Sequence, residues 1–175
     1  MKPLIPVLLS LSMLAGCAGT PDAVSSSNYG RLVLNQALTI PPNAATVRLQ
    51  YGHVVAYNAV QEHDPFCVFE LNTVADREQT AHPGRFAITR IGRSVETIAG
   101  LPTLRRVRVT LGDDSGGISF LYYKTTFQLR DEAQPVRALT CMSNQYMPGI
   151  PIMRHLTPEE IRGALGGIIT LEFPA

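Results

Sequence analysis

Residues 118–130 read ISFLYYKTTFQLR, and the order of apolar and polar side chains in this stretch decides the fold class. One side of an extended chain would carry apolar residues and the other polar ones: Leu121, Tyr123, Phe127 and Leu129 against Lys124, Thr126, Gln128 and Arg130. This alternation is typical of a β-strand with one buried face. The stretch therefore predicts a half-buried strand.

Similar strand patterns recur along the chain from Tyr29 onward. They predict strands over residues 30–38, 46–51, 53–58, 66–73, 84–98, 103–112, 118–130, 136–143 and 168–173. The Gly-rich segment 112–117 reads as a hairpin turn, which predicts that strands 103–112 and 118–130 are antiparallel neighbours. In strand 84–98 the apolar side switches near Gly92, and a β-bulge at that residue would explain the switch.

One helix is signalled near the C-terminus. Thr157 is a candidate N-cap, Pro158 follows at the first helical position, and Glu160 completes a capping box before Gly166 ends the segment. Many short strands with one short C-terminal helix predict a mostly β fold, an antiparallel β-sandwich, with a small β-barrel as the alternative. We expect residues 29–175 to form this single β domain.

Residues 1–16 have the anatomy of a secretory signal peptide, with Lys2, an apolar run over 4–14 and small residues before a cysteine. The sequence LAGC at 14–17 fits the lipobox of bacterial lipoproteins, so we expect cleavage before Cys17 and lipid attachment to its thiol. A transmembrane anchor needs about 20 apolar residues, and this run has about half that number. The lipid would therefore hold the protein on the membrane.

Residues 17–28 combine the lipidated cysteine with a small, polar segment that predicts a flexible tether. The formal net charge of the whole chain is +1, and removal of the signal peptide takes Lys2 away. A mature chain without net charge argues against a nucleic-acid partner, because phosphate binding relies on uncompensated cations.

Once Cys17 carries lipid, Cys67 and Cys141 remain as an even pair in an oxidising compartment. Cys67 shares a strand face with Phe69 and Leu71, and Cys141 shares one with Leu139, so both sulfurs are expected to face the core. We predict a structural disulfide between them. Two free buried thiols are the alternative.

Several short motifs resemble those of a group of small proteobacterial lipoproteins of unknown role. They are YGR at 29–31, LTIPP at 38–42, FC at 66–67, PGRF at 83–86, LTC at 139–141 and the helix at 157–166. The resemblance implies an exported, lipidated β domain with no established activity. In Gram-negative lipoproteins of this kind, Ala18 after the lipidated cysteine implies an outer-membrane address.

Arginines offer one candidate binding surface. Arg106 and Arg108 share a face of the predicted strand 103–112, and Arg90 and Arg93 come from the preceding strand. If the two strands pair, some of these guanidiniums can hold carboxylates in bidentate fashion on an acidic partner. A solvated outer face neutralised by neighbouring acidic residues is the alternative.

The residues that remain give little sign of catalysis. The sequence has no nucleophile elbow, no paired-carboxylate site and no Cys–His arrangement, so we expect no enzymatic activity and no cofactor. Met147, Met153 and His155 form a tail that can bind copper through soft thioether and imidazole ligands. The sequence thus predicts a non-enzymatic lipoprotein on the periplasmic face of the outer membrane that binds another envelope component. The partner we expect is a protein. Copper handling by the Met/His tail is the alternative.

Overall fold

The computed structural model describes residues 29–96, 121–145 and 153–174. These residues form ten strands, a single 3₁₀ turn and one α-helix. The strands are β1 (Arg31–Leu34), β2 (Leu38–Ile40), β3 (Thr46–Gln50), β4 (His53–Val55), β5 (Phe66–Leu71), β6 (Gln79–Ala81), β7 (Gly84–Glu96), β8 (Tyr122–Arg130), β9 (Val136–Met142) and β10 (Ile169–Glu172). The 3₁₀ turn is Tyr57–Ala59, and the helix is α1 (Pro158–Leu165).

Eight strands form a curled antiparallel sheet in the order β10-β1-β7-β8-β9-β5-β3-β4, and β2 pairs with β6 in a second, two-stranded sheet. The prediction of a mostly β, antiparallel fold with one short C-terminal helix is confirmed. Alternate residues of the long strands enter one buried cluster, to which both sheets and α1 contribute. The other face of β5 and β9 is left outside this cluster.

Helix α1 begins and ends as the sequence predicts. Thr157 Oγ1 accepts a hydrogen bond from the backbone N–H of Glu160, and the Glu160 carboxylate accepts one from the backbone N–H of Thr157. The helix contacts β3 and β5 near one end of the large sheet and β10 at the other. It therefore packs across the two ends of the curled sheet and buries Ile161 and Leu165 between them.

The end of α1 lies directly against the turn between β3 and β4. The backbone N–H of Gly52 donates to the carbonyl of Ala164 at 3.0 Å. A Cβ atom on Gly166 would lie 2.4 Å from the Gly52 Cα, so only glycine fits this crossing. Gly166 also has a φ of 55°, which favours glycine. The contact fixes the β3–β4 hairpin to the body of the fold.

The predicted disulfide is confirmed, because Cys67 and Cys141 are bonded. They are register partners on the adjacent strands β5 and β9, and both are completely buried in the main core. The bond therefore links two neighbouring strands in the middle of the sheet.

Three expectations about the strands need correction. The register of β7 shifts between Ile88 and Arg90, so the irregularity lies before Gly92 rather than at it. Over Thr125–Gln128, β8 pairs with β7 on one side and β9 on the other, so the predicted hairpin partner of strand 118–130 does not pair with these four residues. Finally, the short strand β6 has no counterpart in the predicted set, because three residues give too little alternation to detect. Residues 97–120 themselves lie outside the described ranges.

Helix α1 is too short and too polar to cross a membrane, and within the described ranges no other helix meets that requirement.

Candidate functional site

A cavity of about 810 Å³ forms an open groove on the face of the sheet that the main core does not use. Its floor comes from alternate residues of β5 and β9, namely Phe66, Val68, Thr140 and Met142. Residues 54–62, which include β4 residues and the 3₁₀ turn, form one wall, and the segment 39–48 borders the other side. We refer to this cavity as the groove.

The floor of the groove is largely apolar. Phe66, Tyr122 and Met142 form a second buried cluster, with Val60 and Val68 packed against it. The rings of Phe66 and Tyr122 meet edge to face, with their centroids 6.4 Å apart. This packing gives the groove a fixed apolar base that is separate from the main core.

Hydrogen bonds hold the wall formed by residues 54–62 in place. The buried side chain of Gln50 donates to the carbonyl of Gln61 at 2.8 Å and accepts from the Gln61 N–H at 2.9 Å. The backbone N–H of Asn144 donates to the carbonyl of Glu62 at 2.6 Å, and the Tyr122 hydroxyl donates to the Glu62 carboxylate, also at 2.6 Å. The groove is therefore preformed.

Most charged groups that line the groove have a partner. Burial and the hydrogen bond to Glu62 raise the pKa of Tyr122, so this phenol stays protonated and donates to the carboxylate. Glu70 forms an ion pair with Arg137 at 3.0 Å, and Lys124 forms one with Glu96 at 2.7 Å. Both groove carboxylates are thus engaged by donors of the protein itself.

Arg48 is arranged differently. Its guanidinium carbon lies 4.2 Å from the centre of the Tyr57 ring, which is a cation–π contact. Burial lowers the pKa of Arg48, while the nearby groups of Tyr57 and Glu62 oppose that shift. The side chain is half-buried and lines the groove. Arg48 therefore presents a positive charge beside the apolar floor of the groove.

The structure separates Arg90 from Arg93, two of the predicted partner-binding residues. Arg90 lies opposite the exposed Gln128, whereas Arg93 lies opposite the buried Thr125. Residues three apart on a continuous strand point to opposite faces, so the side chains of Arg90 and Arg93 leave β7 on opposite sides. Partner binding by the four arginines stays a prediction. Arg93 instead borders a cavity of about 140 Å³ beside α1. Arg106 and Arg108 lie outside the described ranges.

The residues of the copper alternative are only partly described. Met153 is exposed, and the ring of His155 packs edge-on against Tyr123 with their centroids 5.4 Å apart. Burial, and then the charge of Arg93, lower the pKa of His155. Within the described ranges no group of three or more His, Cys, Asp or Glu side chains is placed to hold a metal ion. Met147 lies outside them, so copper binding stays a prediction.

Sequence reasoning did not find Arg48, Gln50, Glu62 or Tyr122 as site residues. Arg48 and Gln50 alternate with the apolar residues Val47 and Leu49, and that pattern normally indicates a solvent-exposed strand face. In the structure Gln50 is buried and Arg48 is half-buried, and this burial distinguishes the groove face of β3 from a solvent-exposed face. The sequence does not reveal the burial of these two residues. Cys17, the predicted lipid site, lies outside the described ranges.

Chemically, the groove is suited to binding. Its apolar floor can bury ligand surface, its fixed wall lowers the entropic cost of association, and Arg48 can orient an anionic group. Comparison with protein-family models, curated proteins and solved structures gives no match to this chain.

Proposed function

We propose that this chain is a non-enzymatic, lipid-anchored lipoprotein of the outer membrane, and that its β domain binds another envelope protein in the groove. The observation that carries the proposal is the preformed cavity of about 810 Å³. Its volume falls in the range of about 300–1,000 Å³ that is typical of ligand sites, and its composition is also typical, with a mostly apolar lining and a few fixed polar groups.

Exposed apolar side chains at the rim of the groove support a protein as the ligand. Val54 and Tyr57 line the groove and are both exposed, and the exposed Tyr51 lies three residues before Val54 in the chain. Scattered exposed apolar residues are normal on a protein surface, but a cluster beside a cavity is typical of an interaction site. Tyr and Val at this rim would be covered by a bound partner.

The expected membrane anchor also supports a binding role. The lipobox at residues 14–17 and the polar tether to residue 28 would keep the domain close to one leaflet. Confinement near a surface raises the effective concentration of a partner in the same membrane, so modest affinity is enough. The engaged state of Glu62 and Glu70 favours binding over acid–base catalysis in the groove.

Photocrosslinking in living cells tests the proposal. A photoreactive phenylalanine, p-benzoylphenylalanine, at Val54 is expected to form a discrete crosslinked product with an envelope protein. Val54 lines the groove, and 52% of its surface is exposed, so the substitution does not disturb the core. Immunoblotting measures the yield, and mass spectrometry of the purified product identifies the partner.

The matched control is the same photoreactive residue at Phe173, which is 47% exposed and lies away from the groove, beside the smaller cavity. We expect no discrete product from this position. Crosslinking from Phe173 but not from Val54 would move the binding site to the Arg93 side of the domain. Absence of a discrete product from either position would contradict the proposed function.

A further inference from the structure

Strand β4 forms one edge of the eight-stranded sheet and pairs only with β3 among the described strands. Tyr51 and Gly52 connect the two strands with φ angles of 54° and 75°, which is a two-residue hairpin turn of the primed kind. In such a hairpin the pair next to the turn, Gln50 and His53, exchanges hydrogen bonds, and the following pair, Leu49 and Val54, does not. The backbone N–H and C=O of Val54 therefore point away from β3, toward the open edge.

These edge groups lie beside the groove, because Val54 and Val55 both line it. Outside the β3–β4 ladder, no hydrogen bond from a described residue satisfies the backbone of Val54. Exposed edge strands are templates for pairing with another extended chain. The exposed side chains of Tyr51, Val54 and Tyr57 accompany this edge and supply apolar surface for such a chain.

Arg48 supplies a positive charge to the groove beside this edge strand. It is the register partner of Val55, and its side chain lies in the groove against Tyr57. Among the described residues no carboxylate lies within ion-pair distance of Arg48, whereas Lys124 and Arg137 pair with Glu96 and Glu70. A guanidinium carries five N–H donors and does not lose its proton in proteins. Glu62 acts on Arg48 from beyond ion-pair distance and accepts a hydrogen bond from Tyr122, so a carboxylate of the ligand is the group that would pair with Arg48 directly.

We propose that the groove binds an extended peptide segment of the partner protein, which pairs with β4 as an additional strand and places an aspartate or glutamate carboxylate on Arg48. This inference rests on the proposed function and names the chemistry of its partner. Main-chain hydrogen bonds to Val54 would give the segment its register, and apolar side chains flanking the acid would pack on the exposed side chain of Val54. The Arg48–carboxylate pair would give specificity, because a guanidinium recognises both oxygens at once.

An anionic amphiphile is the competing ligand, since an acyl chain can also fill an apolar groove. It would, however, leave the open edge of β4 unused, because a lipid chain has no backbone groups to pair with Val54. The peptide accounts for the edge strand, the exposed rim and Arg48 together. We therefore assign the groove to a peptide and make the amphiphile an outcome of the test.

The test uses the full-length mature protein in nanodiscs and a phage-displayed library of random nine-residue peptides. Enriched peptides are expected to contain one Asp or Glu flanked by β-branched or aromatic residues. A synthetic copy of the best peptide should bind Arg48→Gln about ten-fold or more weakly than the wild type, because a charge-assisted hydrogen bond is lost. Arg48→Lys should recover only part of that loss, since lysine cannot form the bidentate pair.

Two controls test whether the loss of peptide affinity in Arg48→Gln comes from the proposed pair between Arg48 and the peptide carboxylate. Arg85→Gln removes an exposed strand arginine that pairs with Glu172 outside the groove, and it should leave peptide affinity unchanged within about two-fold. Replacing the acidic peptide residue with its amide should weaken binding to the wild type but add no further loss to Arg48→Gln. Peptide binding should also slow hydrogen exchange at the Val54 amide.

The inference fails if no peptide is enriched, if the enriched peptides lack an acidic residue, or if Arg48→Gln binds them as the wild type does. Labelling by a photoreactive palmitate that is lost in Arg48→Gln, with no peptide enriched, would assign the groove to an anionic amphiphile and overturn it. Crosslinking of an envelope protein at Val54 that persists in Arg48→Gln would overturn this inference while leaving the proposed function in place.

Discussion

Cys141→Ser is expected to lower the free energy of unfolding by about 2–5 kcal/mol, the usual range for loss of a native disulfide in a small exported domain. The bond joins residues 74 positions apart, and closing a loop of that length restricts the unfolded chain strongly. Both cysteines are also completely buried between β5 and β9, so the substitution leaves a hydroxyl inside the core. Urea denaturation of wild type and variant, followed by circular dichroism, measures the difference.

Reductant provides the control for this prediction. Wild type treated with dithiothreitol after unfolding should refold to a stability below that of the oxidised protein and above that of a Cys67→Ser, Cys141→Ser double variant, which also buries two hydroxyls. Two thiols that react with iodoacetamide in denatured, unreduced wild type would mean that the bond does not form in the cell. Equal unfolding midpoints for wild type and Cys141→Ser would show that the bond contributes no stability.

Cys17→Ser is expected to abolish lipid attachment entirely. The lipobox thiol is the acceptor of the diacylglyceryl group, and a serine hydroxyl in its place cannot form the thioether. The variant should therefore accumulate as an unprocessed precursor and carry no label when cells grow with radioactive or alkyne-tagged palmitate. Cys67→Ser is the matched control, because it removes a cysteine outside the lipobox and should leave labelling intact. Normal palmitate labelling of Cys17→Ser would show that the anchor has been assigned wrongly.

Features with a strong local signal are the ones that sequence predicts correctly. The capping box at Thr157 and Glu160 and the glycine at Gly166 mark both ends of α1, because helix ends depend on neighbouring residues alone. Strand phase placed Cys67 and Cys141 on core faces, and the structure makes them register partners. These predictions required no knowledge of which strands are neighbours.

Long-range pairing is where sequence reasoning fails. A Gly-rich turn at 112–117 suggested a partner for β8, yet β7 and β9 occupy both sides of β8 over Thr125–Gln128. The apolar switch in β7 was visible, but the shift lies between Ile88 and Arg90 because register against β8 determines the position of a bulge. Alternation of apolar and polar residues identifies the two faces of a strand, but it does not identify the strands or loops that pack against each face.

The groove shows the same limit at the candidate site. The alternation of Arg48 and Gln50 with Val47 and Leu49 indicates a polar face, and sequence reasoning assigns such a face to solvent. The structure instead packs residues 57–62 over it, through the hydrogen bonds of Gln50 with Gln61. Which loop covers which strand depends on the whole topology, so the site could not be located before the fold was known.

Hydrogen–deuterium exchange of the protein in its native membranes shows whether an envelope protein occupies the groove. Outer membranes isolated from the producing cells are compared with the purified protein in liposomes of the same lipids. Peptides covering residues 52–60 should exchange about ten-fold more slowly in the native membranes, while those covering α1 should exchange equally in both. Equal exchange over 52–60 in the two preparations would contradict the account, because an occupied groove must protect its own rim.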